Sequence, residues 1–411
     1  MCVPGADNSA QSYGAGMERV VVPRRLLLAA AGSAAVAAVG GCEGSGTSAR
    51  GTGSNASSRG STPGSSGGRD DRSLRRKIAS LLVVGFRGER LTHNDWIIKA
   101  VREGLGGVIL FDRDLETKRV RNISSPNQVT DLVRTLREAS PGRLIVSIDQ
   151  EGGPTSRLNP SNGFPATKSE AEIGAENSLP ATREWARGLV ASLTRIGVNL
   201  NYAPDVDLNV NPDNPAIGKL DRSFSADPDV VGSNATEEIK AHRAAGVKTV
   251  LKHFPGLGSA TGNTDFEVVD VSTTWQQREL EPFQRLIQAG LADSVMAAHL
   301  LNKQLDPQRP ASLSPTVVTE LLRGQLGWQG PVVSDDMQAA AITRQYGGTE
   351  AVALALQAGL DLLVFANQQV YDPAIVDKTV DAIVGFVRSG RLTEARIDQS
   401  VARVDALRPK R

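Results

Sequence analysis

After residue 73 the chain repeats one unit: a short continuous apolar run, a loop, then a stretch of helical period. The apolar runs fall at 81–84, 107–111, 144–148, 198–202, 249–251, 294–298, 331–333 and 361–365. None alternates polar with apolar, which is the pattern of strands covered on both faces. Helical periodicity fills the gaps at 96–103, 127–138, 181–196, 229–245, 276–289, 315–326 and 349–358, and again at 374–388 and 393–407. Eight strands alternating with helices over 73–411 predict an α/β fold, a TIM-type (β/α)8 barrel forming a single catalytic domain. Such a barrel takes about 250 residues, more with insertions. The competing arrangement is an open doubly wound sheet. It wants a glycine-rich phosphate turn after its first strand, and Gly85-Phe86-Arg87-Gly88 matches that poorly.

A barrel places its chemistry just after the C-terminal ends of its strands. Asp112 ends the second run, and Asp149-Gln150-Glu151-Gly152-Gly153 ends the third. The fourth leads into Pro204-Asp205, the fifth into Lys252-His253, the sixth into His299 and the seventh into Ser334-Asp335-Asp336. Taken singly, Ser334 or Asp336 would serve as a helix cap and Asp149 as turn chemistry. Gathered at one rim, they describe a polar pocket suited to a polyhydroxylated ligand. Residues 251–267 are the densest part: a strand end carrying Lys252 and His253, then a loop broken by Pro255, Gly256, Gly258 and Gly262 that carries Asn263, Asp265 and Glu267.

The front of the chain changes the picture of where this barrel works. Residues 1–42 read as a signal peptide, with its start at Met17, Arg19, Arg24 and Arg25 as the positive region and 26–40 as the apolar region. Gly40-Gly41-Cys42 then resembles a lipobox, making Cys42 the expected lipidation site. A twin-arginine route is open through Arg24-Arg25, and the apolar run is short for a membrane span. Residues 43–72 are nearly all Gly, Ser, Thr, Arg, Asn and Asp, a composition that predicts a disordered tether. The expectation is an exported protein on the extracytoplasmic face of the cell membrane, attached through its N-terminal lipid alone.

Composition then removes several classes. With 46 basic and 45 acidic residues the formal charge is +1, and no basic run suggests a nucleic-acid partner. The two Cys, at 2 and 42, exclude a disulfide framework or a cysteine zinc site in the body. Four His at 93, 242, 253 and 299, without paired spacing, argue against a catalytic metal, and no cofactor is expected. Aromatics are 4% of residues, which suits one terminal sugar in a closed pocket better than a stacking cleft for a polysaccharide.

Five segments together carry a resemblance: Gly107-Val108-Ile109-Leu110-Phe111, Asp149 to Gly153, Asp221-Arg222-Ser223-Phe224, Lys252-His253-Phe254-Pro255-Gly256 and Ser334-Asp335-Asp336-Met337. In this order they resemble glycoside hydrolase family 3, in its single-domain NagZ-type β-N-acetylglucosaminidase form, here in an actinobacterial lipoprotein style. The resemblance implies a TIM-type barrel, no cofactor and retention of anomeric configuration; a sugar or muropeptide substrate and a monomer are expected. It makes Asp335 the nucleophile, with Asp336 behind it. It makes Asp149, Arg157, Arg222, Lys252 and His253 the holders of the terminal GlcNAc hydroxyls.

One departure stands out. The family loop carries an Asp-x-His pair that supplies the general acid/base. Here Leu257 replaces a first loop His, Asn263 replaces the orienting Asp and Asp265 replaces the catalytic His. Three outcomes follow. Asp265 itself is the acid/base, which needs a carboxyl raised from its ordinary value of about 3.9. Alternatively Glu267 or Asp270 swings in. In the third, only activated glycosides are cleaved, or none, leaving a catalytically impaired sugar-binding lipoprotein. The first is preferred because an ionisable group stays at the equivalent position. A β-glucosidase of the same family, and phosphate rather than water as acceptor, remain as alternatives.

Overall fold

The computed structural model describes residues 66–410. The eight apolar runs become β1 (Leu82–Gly85), β2 (Gly107–Leu110), β3 (Ile145–Ile148), β6 (Leu200–Asn201), β7 (Lys248–Thr249) with β8 (Leu251–Phe254), β9 (Val295–Ala297), β10 (Val332–Asp336) and β11 (Leu362–Phe365). A small antiparallel hairpin, β4 (Gln150–Gly152) and β5 (Thr155–Ser156), follows β3. The main sheet is parallel throughout, in the order β7-β6-β3-β2-β1-β11-β10-β9-β8. Its two ends, β7 and β8, are consecutive pieces of one extended run interrupted at Val250. The first piece pairs with β6 and the second with β9. The ring therefore closes through the chain itself, and an isolated Asp205–Lys252 bridge continues the β6 side past the break. This is the expected eightfold barrel, and the open doubly wound alternative is excluded by its closure.

Every residue of β1, β2, β3, β8 and β11 is buried, as continuous apolar runs between a filled interior and a helical jacket must be. The helices start where the sequence supplies acceptors for their unpaired N–H groups. Ser125, Ser178 and Asp227 cap the helices Pro126–Ala139, Leu179–Ile196 and Pro228–Ala244, each with Pro in the first turn. Gly197, in the left-handed region at φ 82°, ends the second of these.

Three helices were not expected. Ser66–Ala79 begins inside the stretch read as tether; Leu74, Ile78 and Ala79 are buried against the barrel while its earlier turns are polar. Glu170–Glu176 is closed by a capping box between Ser169 and Glu172, a signature visible in the sequence but too short to show periodicity. Ala340–Tyr346 follows the seventh barrel strand directly. The expected helix at 276–289 is a 3-10 turn, Gln277–Leu280, running into Glu281–Gln288, and that at 315–326 is wound as a π-helix over Thr316–Gln325. Among the described residues no helix is long and apolar enough to cross a membrane. Cys42 and the segment read as signal peptide lie outside the described residues.

The seam between the first and last units is held by one buried cation. Arg121, 1% exposed, donates to the Phe86, Ala366 and Asn367 carbonyls, to Gln368 Oε1 and, at 2.7 Å, to Asp114 Oδ2. Asp114 also accepts from Arg87, whose guanidinium is partly in solvent. Removing a buried partner costs about 3–5 kcal/mol, whereas exposed pairs are worth about 0–1 kcal/mol. Arg121→Met is therefore expected to lower unfolding free energy by roughly 3–5 kcal/mol in urea titrations, and Arg87→Met by clearly less. Equal losses for the two would contradict this reading of the seam.

Candidate active site

The C-terminal ends of the strands surround a cavity of about 470 Å³. Asp149, Arg157, Arg222, Lys252, His253, Asp265 and Asp335 all line it, with Asp112 and Asp336, whereas Asp205, His299 and Ser334, also placed at this rim from the sequence, do not. Each reaches the cavity for a local reason. Asp149 lies between β3 and the β4–β5 hairpin. The Gln150 side chain then clamps both backbone groups of Leu158, at 2.9 and 3.1 Å, which fixes the neighbouring Arg157 at the rim. Asp149 Oδ1 accepts from Lys252 Nζ at 3.2 Å, and Arg157 stands 3.8 Å from Oδ2. The Arg157 Nε–H is buried without a partner.

Lys252 and His253 lie within β8 rather than beyond a strand end at 251, and the peptide between them is cis. Beneath them sits Glu151, a residue not singled out from sequence. It is 1% exposed and takes a bidentate pair from Arg222 at 2.7 and 2.9 Å and a third contact from Lys252 at 2.5 Å. Burial opposes its charge, yet the two cations hold it down at about 2. Both cations are in turn raised against the pull of burial, chiefly by Glu151. Two positive donors thus face the cavity at neutral pH.

His253 is pushed down by burial and is uncharged near neutrality. Its Nδ1–H donates to Asp207 Oδ2 at 2.7 Å, leaving Nε2 facing an Arg222 N–H at 3.4 Å. Asp207, also missed from sequence, accepts the backbone N–H groups of His253 and Leu257 as well. Asp205, Asp207 and His253 place one ligand-type atom each within 4.8 Å of one another. Asp205 Oδ2 has no hydrogen-bond partner, whereas Asp207 Oδ2 accepts the His253 Nδ1 proton that orients the ring, which a cation there would have to displace.

The loop after β8 is docked at both ends. Asn211 and Asn214 donate to the carbonyls of Ala260, Leu257 and Gly258, and Gly258 packs so tightly that a Cβ would lie 1.7 Å from the Leu208 carbonyl oxygen. At its far end Ala340 and Ala341 donate their N–H groups to the carbonyls of Asp265 and Thr264. Leu257, at the place of the family's first loop His, is 2% exposed. Asn263, at the place of the orienting Asp, accepts the backbone N–H of Asp265 at 2.9 Å instead of gripping a side chain. Asp265 itself faces the cavity, raised to about 6 by burial and by the charge of Asp335. Glu267 and Asp270 do not line the cavity. Asp270 is exposed, bonded to Lys303 and Ser272, and held at about 2 by those bonds.

Across the cavity β10 continues to Asp336, with a register shift against β11 between Val333 and Asp336 that turns Asp335 inward. Burial works against ionisation of Asp335, but its carboxyl lies below the ordinary value, held there by His299, His253, the Asp336 N–H at 2.8 Å and Lys252. Burial pushes both imidazoles down. Near neutrality the N–H and the ammonium are therefore what keep Asp335 charged. Asp336 accepts from Ala366 and Gln338 through Oδ1 and is raised to about 7 by burial.

The fold and this rim define a barrel with a carboxylate-rich cavity at its strand ends. The comparisons narrow the class. Residues 73–407 match the N-terminal domain of glycosyl hydrolase family 3. The chain is 34% identical over 316 residues to the β-hexosaminidase of Stenotrophomonas maltophilia (strain R551-3), covering 74% of this chain and 87% of that one. A β-N-acetylglucosaminidase of the family from Paenibacillus sp. str. FPU-7 superposes with a TM-score of 0.74 at 34% identity. That match covers 81% of this chain and 62% of the Paenibacillus protein, so this chain spans less than two thirds of its length. The β-N-acetylhexosaminidase from Beutenbergia cavernae DSM 12333 gives 0.70 at 32% identity, covering 81% of this chain and 97% of that one. The chain belongs to glycoside hydrolase family 3.

Below the cavity three further acids are wholly buried. Glu170, Asp205 and Glu238 are all raised well above the ordinary range, first by burial and then by their mutual charges and that of Glu151 or Asp207. Both Glu238 carboxyl oxygens lack hydrogen-bond partners. A raised folded-state value means stability present below the unfolded value, about 4.3 for Glu, and lost as pH climbs toward the folded one. The neutral isostere Glu238→Gln is therefore expected to gain melting temperature over the parent, with a gap wider at pH 8 than at pH 5. A gap independent of pH would show that Glu238 is ionised in the folded protein.

Proposed function

We propose that this protein is a retaining, exo-acting β-N-acetylglucosaminidase that removes terminal GlcNAc from cell-wall fragments or other glycosides. One observation carries the reading: one cavity at the strand ends holds a carboxylate kept ionised, a carboxyl kept protonated to about pH 6, and five charged or imidazole side chains suited to vicinal hydroxyls. The family relatives described above, named for hexosaminidase activity, support the choice of sugar.

In this mechanism Asp335 attacks the anomeric carbon while Asp265 gives its proton to the departing oxygen. The glycosyl–Asp335 ester forms as the glycosidic bond breaks. Asp265, now an anion, takes a proton from the incoming water, which opens the ester and restores both groups. Asp149, Arg157, Arg222, Lys252 and His253 fix the ring so that only its anomeric carbon meets Asp335. A sugar-binding protein without turnover is the second reading, and the replacement of the family's His by Asp265 favours it.

The lipobox-like Gly40-Gly41-Cys42 supports an exported protein anchored through Cys42 on the extracytoplasmic face. Labelling cells with a radiolabelled fatty acid tests this: the parent should carry label and Cys42→Ser should not.

Purified residues 66–411 should cleave aryl β-GlcNAc in clear preference to aryl β-glucoside; the reverse preference would make the protein a β-glucosidase. Asp335→Asn should abolish turnover while GlcNAc still binds. The pH profile of kcat/KM follows from the two carboxyls. Asp335 works as an anion, so activity falls as pH drops through its lowered value. Asp265 works protonated in the first step, so activity on unactivated glycosides falls as pH rises through about 6. Asp265→Asn should remove that alkaline limb and cost roughly 10²–10⁴-fold on an alkyl glycoside, far less on a dinitrophenyl glycoside. An unchanged limb would remove Asp265 from the role.

A further inference from the structure

Among the described residues, the large apolar side chains that stand exposed are Leu115, Val120, Leu220, Phe266, Val268 and Val370, between 38% and 66% exposed. Isolated exposed hydrophobics are ordinary on any surface. These are not distributed over the surface. Leu115 and Val120 lie on the loop after β2, Leu220 on the segment after β6, Phe266 and Val268 on the loop after β8, and Val370 after β11. All belong to strand-to-helix connections at the rim that holds the cavity, and none lies at the opposite end of the barrel or on the outer helices. Leu115 and Leu220 are part of the cavity wall itself. Two of the loops are tied together, since the Leu115 N–H donates to Gln368 Oε1 at 3.0 Å. Gln338 in turn fixes Val370 by donating to its carbonyl at 2.8 Å.

The reaction says what must lie against this rim. The general acid has to touch the oxygen that leaves, so the leaving group sits beside Asp265, and the next residue in the chain is the exposed Phe266. The floor of the cavity is charged and matches hydroxyls, while Leu115 and Leu220 put apolar surface into its wall. We propose that the leaving-group subsite takes an apolar aglycone, an alkyl or aryl group, with Phe266, Leu115, Leu220 and Val370 as the surface that receives it. This rests on the glycosidase reading above and names the substrate class for that site.

A series of alkyl β-GlcNAc glycosides from methyl through butyl to octyl, kept below micelle-forming concentrations, separates binding from reactivity, because leaving-group acidity barely changes along it. In the parent, kcat/KM should climb with chain length, by up to roughly fourfold per methylene where burial is complete. The octyl-to-methyl ratio should fall at least severalfold in Phe266→Ser and in Val370→Ser. The same series measured as Kd by calorimetry on Asp335→Asn should show the same slope. A flat series in both measurements overturns the proposal, whether the rim then serves a membrane, a second copy of the chain or nothing. So does a slope that survives both serine substitutions. A slope in Kd with no turnover of any glycoside by the parent would sink the glycosidase reading while retaining the apolar subsite.

Discussion

The site depends first on Glu151. A carboxylate 1% exposed would ordinarily take up a proton, and Arg222 and Lys252 would ordinarily resist burial. Each makes the other tolerable. The fork from Arg222 and the contact from Lys252 settle all three charges in a volume without bulk water. Both cations line the cavity. Buried pairs of this kind are poor evidence of net stability; what this one provides is fixed direction. Asp207 does the same for an uncharged group, setting the tautomer of His253 and holding Leu257, where the acid-bearing loop begins.

On that base two carboxyls of the same chemical type are driven apart. Asp335 has a backbone N–H and an ammonium nearby and stays ionised. Asp265 sits on a docked loop, partly desolvated and facing the charge of Asp335, and is raised to about 6. A histidine titrates near about 6.5 without help, so an Asp at this place reaches similar acidity only through its surroundings. In the proposed mechanism the missing Asp-x-His pair is matched by a docked loop and by a charged neighbour. Asn263 fits the same logic, because a carboxyl that must hold a proton gains nothing from a second anion gripping it.

Much of the fold could be read from the chain because it rests on local signals. Continuous apolar runs and helical periodicity gave strand and helix positions, and the charged residues at strand ends, with the five motif segments, located the pocket. What escaped depended on contacts distant in sequence. The break at Val250 is set by pairing β7 to β6 and β8 to β9, which no local pattern announces. The roles of Glu151 and Asp207 could not be read from the chain, since only the fold puts Arg222 over one and His253 over the other. The helix Ser66–Ala79 was read partly as tether because its early turns are polar and only Leu74, Ile78 and Ala79 meet the barrel.

The central claim is that burial and the charge of Asp335 together keep Asp265 protonated to about pH 6. The most direct measurement is the titration of the Asp265 carboxyl by carbon-detected NMR of labelled aspartate, assigned by comparison with Asp265→Asn, in the parent and in Asp335→Asn. A midpoint near 6 in the parent, falling when Asp335 is made neutral and leaving only the elevation due to burial, is the result this account requires. A midpoint near the ordinary value of about 3.9 in the parent, or one that does not move when Asp335 loses its charge, would contradict it.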